Sequence, residues 1–290
     1  MKLVTFADAA GSRVGALIGD EVIDLAGLDL PADMIAFIEA GPRALRRASA
    51  ALGEAPRQNL SDVRLLAPIP RPKRNVFCVG KNYHDHAHEF SSSGFDATAS
   101  SVIPDVPILF TKAPSSVIGP GQRIPAHLDP TGSVDYEGEL AVVIGKAGRG
   151  IPKARAHEHV YGYTIINDVT ARALQHGHKQ WFLGKSVDGF CPMGPAILTA
   201  DEVPDVGTLR LLTRVNGEVR QDALVADLIF DIPTLIETLS AGITMEPGDL
   251  VATGTPAGVG IGFSPPKYLR KGDVVSIRID PIGELTNPVE

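Results

Sequence analysis

Residues 135–144 read Asp-Tyr-Glu-Gly-Glu-Leu-Ala-Val-Val-Ile. The apolar end, Leu140 to Ile144, predicts a strand. Alternate side chains of a strand share a face, so Glu137 and Glu139 are expected side by side. Two carboxylates in one half-buried place repel unless a proton or a cation stands between them. Further on, the strand-like run 161–167 ends at Asp168, a third acid at a strand tip. Three hard carboxylate oxygens suit Mg²⁺ or Mn²⁺ better than Zn²⁺, which favours nitrogen and sulfur. The competing reading sets both glutamates on a solvated face and makes Asp168 the cap of a helix that begins near Thr170.

Outward from this stretch, further strand-like runs fall at 76–79, 108–111, 209–215 and 274–279. Helical patterns are few, at 171–176, 233–240 and 153–157. Strands widely spaced with few crossover helices argue for a strand-rich α+β chain rather than a doubly wound sheet or an α/β barrel. Residues 1–70 read as a small N-terminal α/β domain. Short strands at 2–6, 14–18 and 21–25, a Gly19-Asp20 hairpin turn, and helices at 32–40 and 44–52 make it up. Residues 66–73, Leu-Ala-Pro-Ile-Pro-Arg-Pro-Lys, carry too many prolines for a helix or a central strand and read as a linker into a larger domain, 71–290. A Ser/Ala-rich stretch, 90–107, is either a disordered insertion or a lid.

Composition narrows the function classes. The 290 residues carry 27 Lys+Arg against 34 Asp+Glu, a net charge of −7, which argues against nucleic acid as a partner. Hydrophobic residues make up 44% and charged residues 21%, enough for a real core. No apolar run approaches the ~18 residues of a membrane span. The first residues, Met-Lys-Leu-Val-Thr-Phe-Ala-Asp, do not read as a signal peptide. With only Cys78 and Cys191, each in an apolar stretch, a disulfide framework is not expected, and the cytoplasm is the expected compartment.

Three other constellations could carry chemistry. Residues 82–89, Asn-Tyr-His-Asp-His-Ala-His-Glu, place His86 and Glu89 one helical turn apart, a spacing that lets the carboxylate orient the imidazole and raise its basicity. A zinc triad of His84, His86 and His88 would instead need an extended strand; a solvated histidine-rich turn is the plainest reading. In 181–192, Lys185 sits between glycines and apolar residues and could hold a substrate carboxylate, with Trp181 and Phe182 read as core. Residues 248–260 form a glycine-rich loop without the lysine of a phosphate-binding loop, yet rich enough in backbone N–H to cradle a small carboxylate.

Taken together and in order, these residues resemble the fumarylacetoacetate hydrolase superfamily, in particular its smaller two-domain bacterial members. The markers are Cys78-Val79-Gly80-Lys81-Asn82-Tyr83 with His86 and Glu89, then Asp135 to Leu140, and Gly162-Tyr163-Thr164 through Asn167-Asp168-Val169-Thr170-Ala171-Arg172. Gly184-Lys185-Ser186-Val187-Asp188, Val215-Asn216-Gly217-Glu218 and Ala252 to Gly260 complete them. The resemblance implies a mixed β-sheet roll, usually a homodimer, that holds Mg²⁺ or Mn²⁺ through Glu137, Glu139 and Asp168 and takes a small 2-oxo acid as substrate. It also implies catalytic roles for His86, Glu89 and Lys185, substrate contacts from Gln175, Thr255, Arg172 and Tyr83, and a lid over about 84–107. Ala173 and Val187 depart from the family's usual residues, which touches pocket shape rather than any expected ligand.

The resulting expectation is hydrolytic cleavage of a C–C bond in an acylpyruvate such as fumarylpyruvate, with the metal as template and Lewis acid and His86 drawing a proton from water. The alternative keeps the site but decarboxylates or isomerises a 2-oxo diacid such as oxaloacetate or a hydroxyheptadienedioate. A binding module without catalysis is the third reading.

Overall fold

The computed structural model describes residues 1–94 and 102–290. The chain opens with strands β1 (Lys2–Asp8), β2 (Gly11–Ile18) and β3 (Glu21–Asp24). The two-residue turn between β2 and β3 uses Gly19 at φ 58°, a conformation that costs glycine no Cβ clash. Helix α1 (Met34–Glu39) starts where the Asp33 carboxylate accepts from Ala36 N–H, and α2 (Gly41–Ala51) buries Ala44 and Ala48. Strands β4 (Arg57–Asn59) and β5 (Arg64–Leu65) return to the sheet. The proline-rich 66–73 is free of helix and strand as expected, but Ala67, Pro68, Ile69 and Pro72 are buried, so it is a packed connection.

There follow β6 (Val76–Gly80), α3 (His84–Ser92), β7 (Ile108–Lys112), β8 (Val117–Ile118), β9 (Val134–Asp135), β10 (Gly138–Ile144) and β11 (Val160–Asn167). Then come β12 (Thr170–Ala171), α4 (Arg172–Gly177), α5 (Phe182–Lys185) and β13 (Cys191–Thr199). The last third holds β14 (Arg210–Val215), β15 (Glu218–Leu224), α6 (Ile232–Ser240), β16 (Leu250–Ala252), β17 (Val274–Ile279) and β18 (Gly283–Pro288). The expected helix at 153–157 is a 3₁₀ run over Lys153–His159. Strands β13, β15 and β18 escaped the sequence reading: β13 is broken by two prolines and β15 is mostly polar.

The large sheet runs β4-β3-β2-β1-β13-β11-β10-β16-β6-β7, with β5 beside β1 and β8 beside β13. A second sheet runs β15-β14-β17-β18, and β9 pairs with β12. The chain is thus strand-rich α+β. Strand β10 is buried on both sides, and its alternation separates two cores. Leu140, Val142 and Ile144 join the core shared with the second sheet and α6, whereas Ala141 and Val143 face the core shared with α1 and α2. The first 65 residues continue the same sheet, because Lys2 and Leu3 of β1 pair with Leu198 and Ile197 of β13.

Candidate active site

Strands β10 and β11 pair antiparallel with Gly138 opposite Asn167, so the residues flanking that pair meet although about thirty positions separate them. Glu139 comes from the start of β10, Glu137 from the residue before that strand, and Asp168 from the residue after β11. Local hydrogen bonds lock the junction: Asp168 N–H donates to Glu137 O at 2.8 Å, and Glu137 N–H donates to Asn167 Oδ1 at 3.0 Å. One ligand oxygen from each of the three acids lies within 4.8 Å of the others, and all three side chains are buried. The solvated-face reading is therefore wrong, and so is the cap: Asp168 is 0% exposed and turns inward.

Buried cations meet these acids. Lys185 Nζ donates to Glu137 Oε2 and to Asp168 Oδ2, both at 2.8 Å. Arg172 Nη1 lies 2.7 Å from Glu137 Oε1, while its Nε donates to Asp135 Oδ2 at 2.9 Å. Burial opposes ionisation of Glu137, yet Lys185 and Arg172 prevail and hold its pKa down to about 2. Burial also works against the Lys185 ammonium, and Asp168 and Glu137 more than offset it, so its pKa is raised. Glu139 is different. It accepts Gly254 N–H at 2.8 Å and, among the described residues, makes no ion pair; burial, then Asp168 and Glu137, push its pKa well up.

Two residues with no role in the sequence reading complete the cluster. Lys112, wholly buried at the end of β7, places Nζ 2.7 Å from Asp168 Oδ1 and donates to the carbonyls of Val169 and Lys185. Asp135 accepts from Gly260 N–H at 2.6 Å and Ile261 N–H at 3.0 Å and anchors Arg172. A lone lysine closing an apolar strand was the available signal for Lys112; for Asp135 it was adjacency to the glutamate pair.

A divalent cation fits this donor set. Three carboxylates converge in one buried place, and Glu139, which accepts Gly254 N–H, makes no ion pair among the described residues, so a cation has one uncompensated acid to meet. Octahedral Mg²⁺ or Mn²⁺ places ligand oxygens roughly 3–4 Å apart, inside the observed spread. The zinc alternative fails, because 84–92 is helical and turns His84 and His88 out to solvent while His86 is buried.

His86 lines the same pocket as Glu137 and Glu139, and its Nδ1 lies 3.1 Å from Glu89 Oε2. Gln175, Thr255, Arg172, Lys185, Lys81 and Trp181 also line it. The Thr255 hydroxyl is already engaged, accepting from Gln221 Nε2 and donating to Gly138 O. Tyr83 is not part of this lining: it is buried at the start of α3 and borders a separate cavity with His84, Asp85, Asp222 and Asp227, with Glu139 near enough to help burial push its hydroxyl pKa up. Trp181 is pocket wall, packed edge-on to Phe90 and Phe110, and Phe182 is 46% exposed; neither is simply core. Of the expected lid, 84–94 contributes α3, and 95–101 lie outside the described residues. Free space between the lining groups is about 10 Å³, roughly one water-sized sphere.

The chain is 47% identical to oxaloacetate tautomerase YisK of Bacillus subtilis, an alignment that covers 95% of each protein. It superposes on a fumarylacetoacetate hydrolase from psychrophilic Exiguobacterium antarcticum with a TM-score of 0.87 at 44% identity, covering 100% of this chain and 99% of that one. A maleylpyruvate hydrolase from Sphingobium sp. SYK-6, solved with manganese(II) and pyruvate, gives 0.82 at 33% identity over 100% and 98%. The family model described as fumarylacetoacetate (FAA) hydrolase, C-terminal, matches residues 75–290, which includes every acid of the cluster and the His86–Glu89 pair, and the chain belongs to that family.

Proposed function

We propose that this protein is a divalent-metal-dependent enzyme of 2-oxo acids whose reaction is keto–enol tautomerisation of an oxaloacetate-type diacid. This places isomerisation ahead of the C–C hydrolysis that the sequence alone favoured, on the strength of the high identity to a tautomerase over nearly the full length of both chains. The observation that carries the reading is His86, paired with Glu89, lining the same pocket as Glu137 and Glu139, two of the three converging acids.

Glu137, Glu139 and Asp168 would hold Mg²⁺ or Mn²⁺, which draws electron density from a bound 2-oxo carboxylate and acidifies its C3–H bond. The protein's own groups then move the proton. An ionised Glu89 can only accept, so His86 donates through Nδ1–H and keeps Nε2 as the free base. Nε2 takes the C3 proton and returns it to the 2-oxygen. Arg172 and Lys185, already fixed by carboxylates, supply positive potential for the substrate's anionic oxygens. Buried, unbridged Cys78 and Cys191 suit a reducing cytoplasm, and a homodimer belongs to the same proposal.

The hydrolytic reading remains the second. The likeness to a maleylpyruvate hydrolase solved with manganese(II) and pyruvate favours it, since the same base would activate water against an acylpyruvate carbonyl. The deciding experiment follows the ultraviolet absorbance of enolic oxaloacetate, and product masses from an acylpyruvate panel, with and without Mn²⁺. Accelerated, Mn²⁺-dependent enol–ketone interconversion with no mass change is expected, lost in His86→Ala and Glu137→Ala. Addition of water to an acylpyruvate would transfer the proposal to hydrolysis, release of CO₂ would make the enzyme a decarboxylase, and full activity after chelation would overturn the metal-dependent reading.

A further inference from the structure

The glycine-rich loop after β16 does cradle carboxylates, but those it holds are the protein's own. Gly254 N–H serves Glu139, Gly258 N–H donates to Glu89 Oε1 at 2.9 Å, and Gly260 and Ile261 N–H serve Asp135. Glu89 is therefore gripped at both oxygens: Oε1 by the loop, Oε2 by His86 Nδ1. Its side chain also fills the space that a side chain at Gly262 would take. A β-carbon built there overlaps Glu89 Oε1 and Cδ and stands 2.5 Å from Cγ. No positive φ demands glycine at this position, so the requirement is one of space.

We propose that Gly262 is a positioning residue: its missing side chain is the slot that seats Glu89, and the seat sets the orientation and tautomer of His86. This rests on the reading that His86 moves the proton. The neighbouring Gly258 differs in kind. Its φ is +104° and a β-carbon there overlaps the backbone carbonyl of Arg220, so substitution strains the loop itself. At Gly262 the atoms in the way belong to one side chain that can swing aside, so the fold survives and Glu89 gives way.

Four proteins test this: wild type, Gly262→Ala, Glu89→Ala and the double variant, each loaded with Mn²⁺ for kinetics and with diamagnetic Mg²⁺ for NMR. Gly262→Ala should lower kcat about ten- to a hundredfold, the scale of a misplaced catalytic group, with KM and Mn²⁺ affinity unchanged. The His86 imidazole ¹⁵N shifts should lose the single Nδ1–H tautomer of wild type, a readout that needs no turnover. In the Glu89→Ala background the added methyl meets open space and should cost nothing more. Wild-type kcat and ¹⁵N shifts in Gly262→Ala, or the same fold-loss in both backgrounds, would overturn the proposal. If Gly262→Ala does not fold, the double variant decides: folding like Glu89→Ala supports the slot, and failure to fold refutes it. Activity retained by His86→Ala would instead sink the proton-transfer reading and leave the ¹⁵N result to judge the seat alone.

Discussion

At Lys185 one ammonium stands between two buried carboxylates, Glu137 and Asp168. Removing one member of a buried ion pair leaves an uncompensated charge, which costs about 3–5 kcal/mol. Lys185→Met should therefore lower the melting temperature sharply, and Mn²⁺ should restore more of it than it adds to wild type, because the cation replaces the missing positive charge. Equal metal-induced shifts in the two proteins would show that Lys185 and the metal do not share these acids. A second acid offers a pH test away from the pocket. Asp129 is 4% exposed; burial works to raise its pKa, but Thr131 and Ser133, each donating from backbone and hydroxyl, lower it below the usual value. A carboxyl lowered in the folded state stabilises above its unfolded pKa near 4 and loses that contribution as pH falls through the folded value. Asp129→Asn should thus cost about 1–3 kcal/mol at pH 7 and progressively less towards pH 3. Thermal unfolding of the two proteins from pH 7 to 3 checks the convergence.

The pairing of β10 with β11 does for the acids what β-hairpins do for cross-strand neighbours, bringing distant positions to within a few ångströms. Helix α3 supplies the base to the same spot. Its periodicity decides which histidine matters: His86, Ala87 and Phe90 face inward and His84 and His88 face water. His84→Ala and His88→Ala should accordingly leave Mn²⁺ binding and turnover unchanged, with stability within about 0.5 kcal/mol. Loss of metal in either variant, measured by Mn²⁺ titration, would revive the histidine site. Much of this level was legible beforehand. The i, i+3 spacing of His86 and Glu89 and the strand reading of 139–144 both name side-chain directions that the structure realises. Of the strands missed, β13 was hidden because Pro192 and Pro195 contradict strand propensity, and it is held in the sheet by neighbours on both sides, β1 and β11.

At the scale of the molecule, the N-terminal strands extend the sheet that builds the site. β1 adds to β13, and Leu3, Phe37 and Ile38 share a buried cluster with Ala141, Val143, Ile166 and Ile197 from beyond residue 71. A chain of residues 71–290 alone would expose that cluster and an unpaired β13 edge. Expressed alone it is expected to be insoluble; a soluble, active 71–290 would instead establish 1–70 as a separable domain. The same scale explains why the described residues carry no helix long and apolar enough to cross a membrane: apolar sequence is spent in short strands packed on two faces.

The strand-rich character, the Gly19-Asp20 turn, the acids and the His86–Glu89 pair could all be read along the chain, because periods of two and 3.6 residues and the donor types of side chains are local properties. Folding alone brings Lys112 and Asp135 into the cluster, sets Tyr83 at a second cavity, and turns a backbone N–H of the glycine loop onto Glu89. Those facts depend on strand register and loop closure between segments as far apart as Glu89 and Gly258, and contacts across such distances are written in packing geometry, which no local pattern encodes.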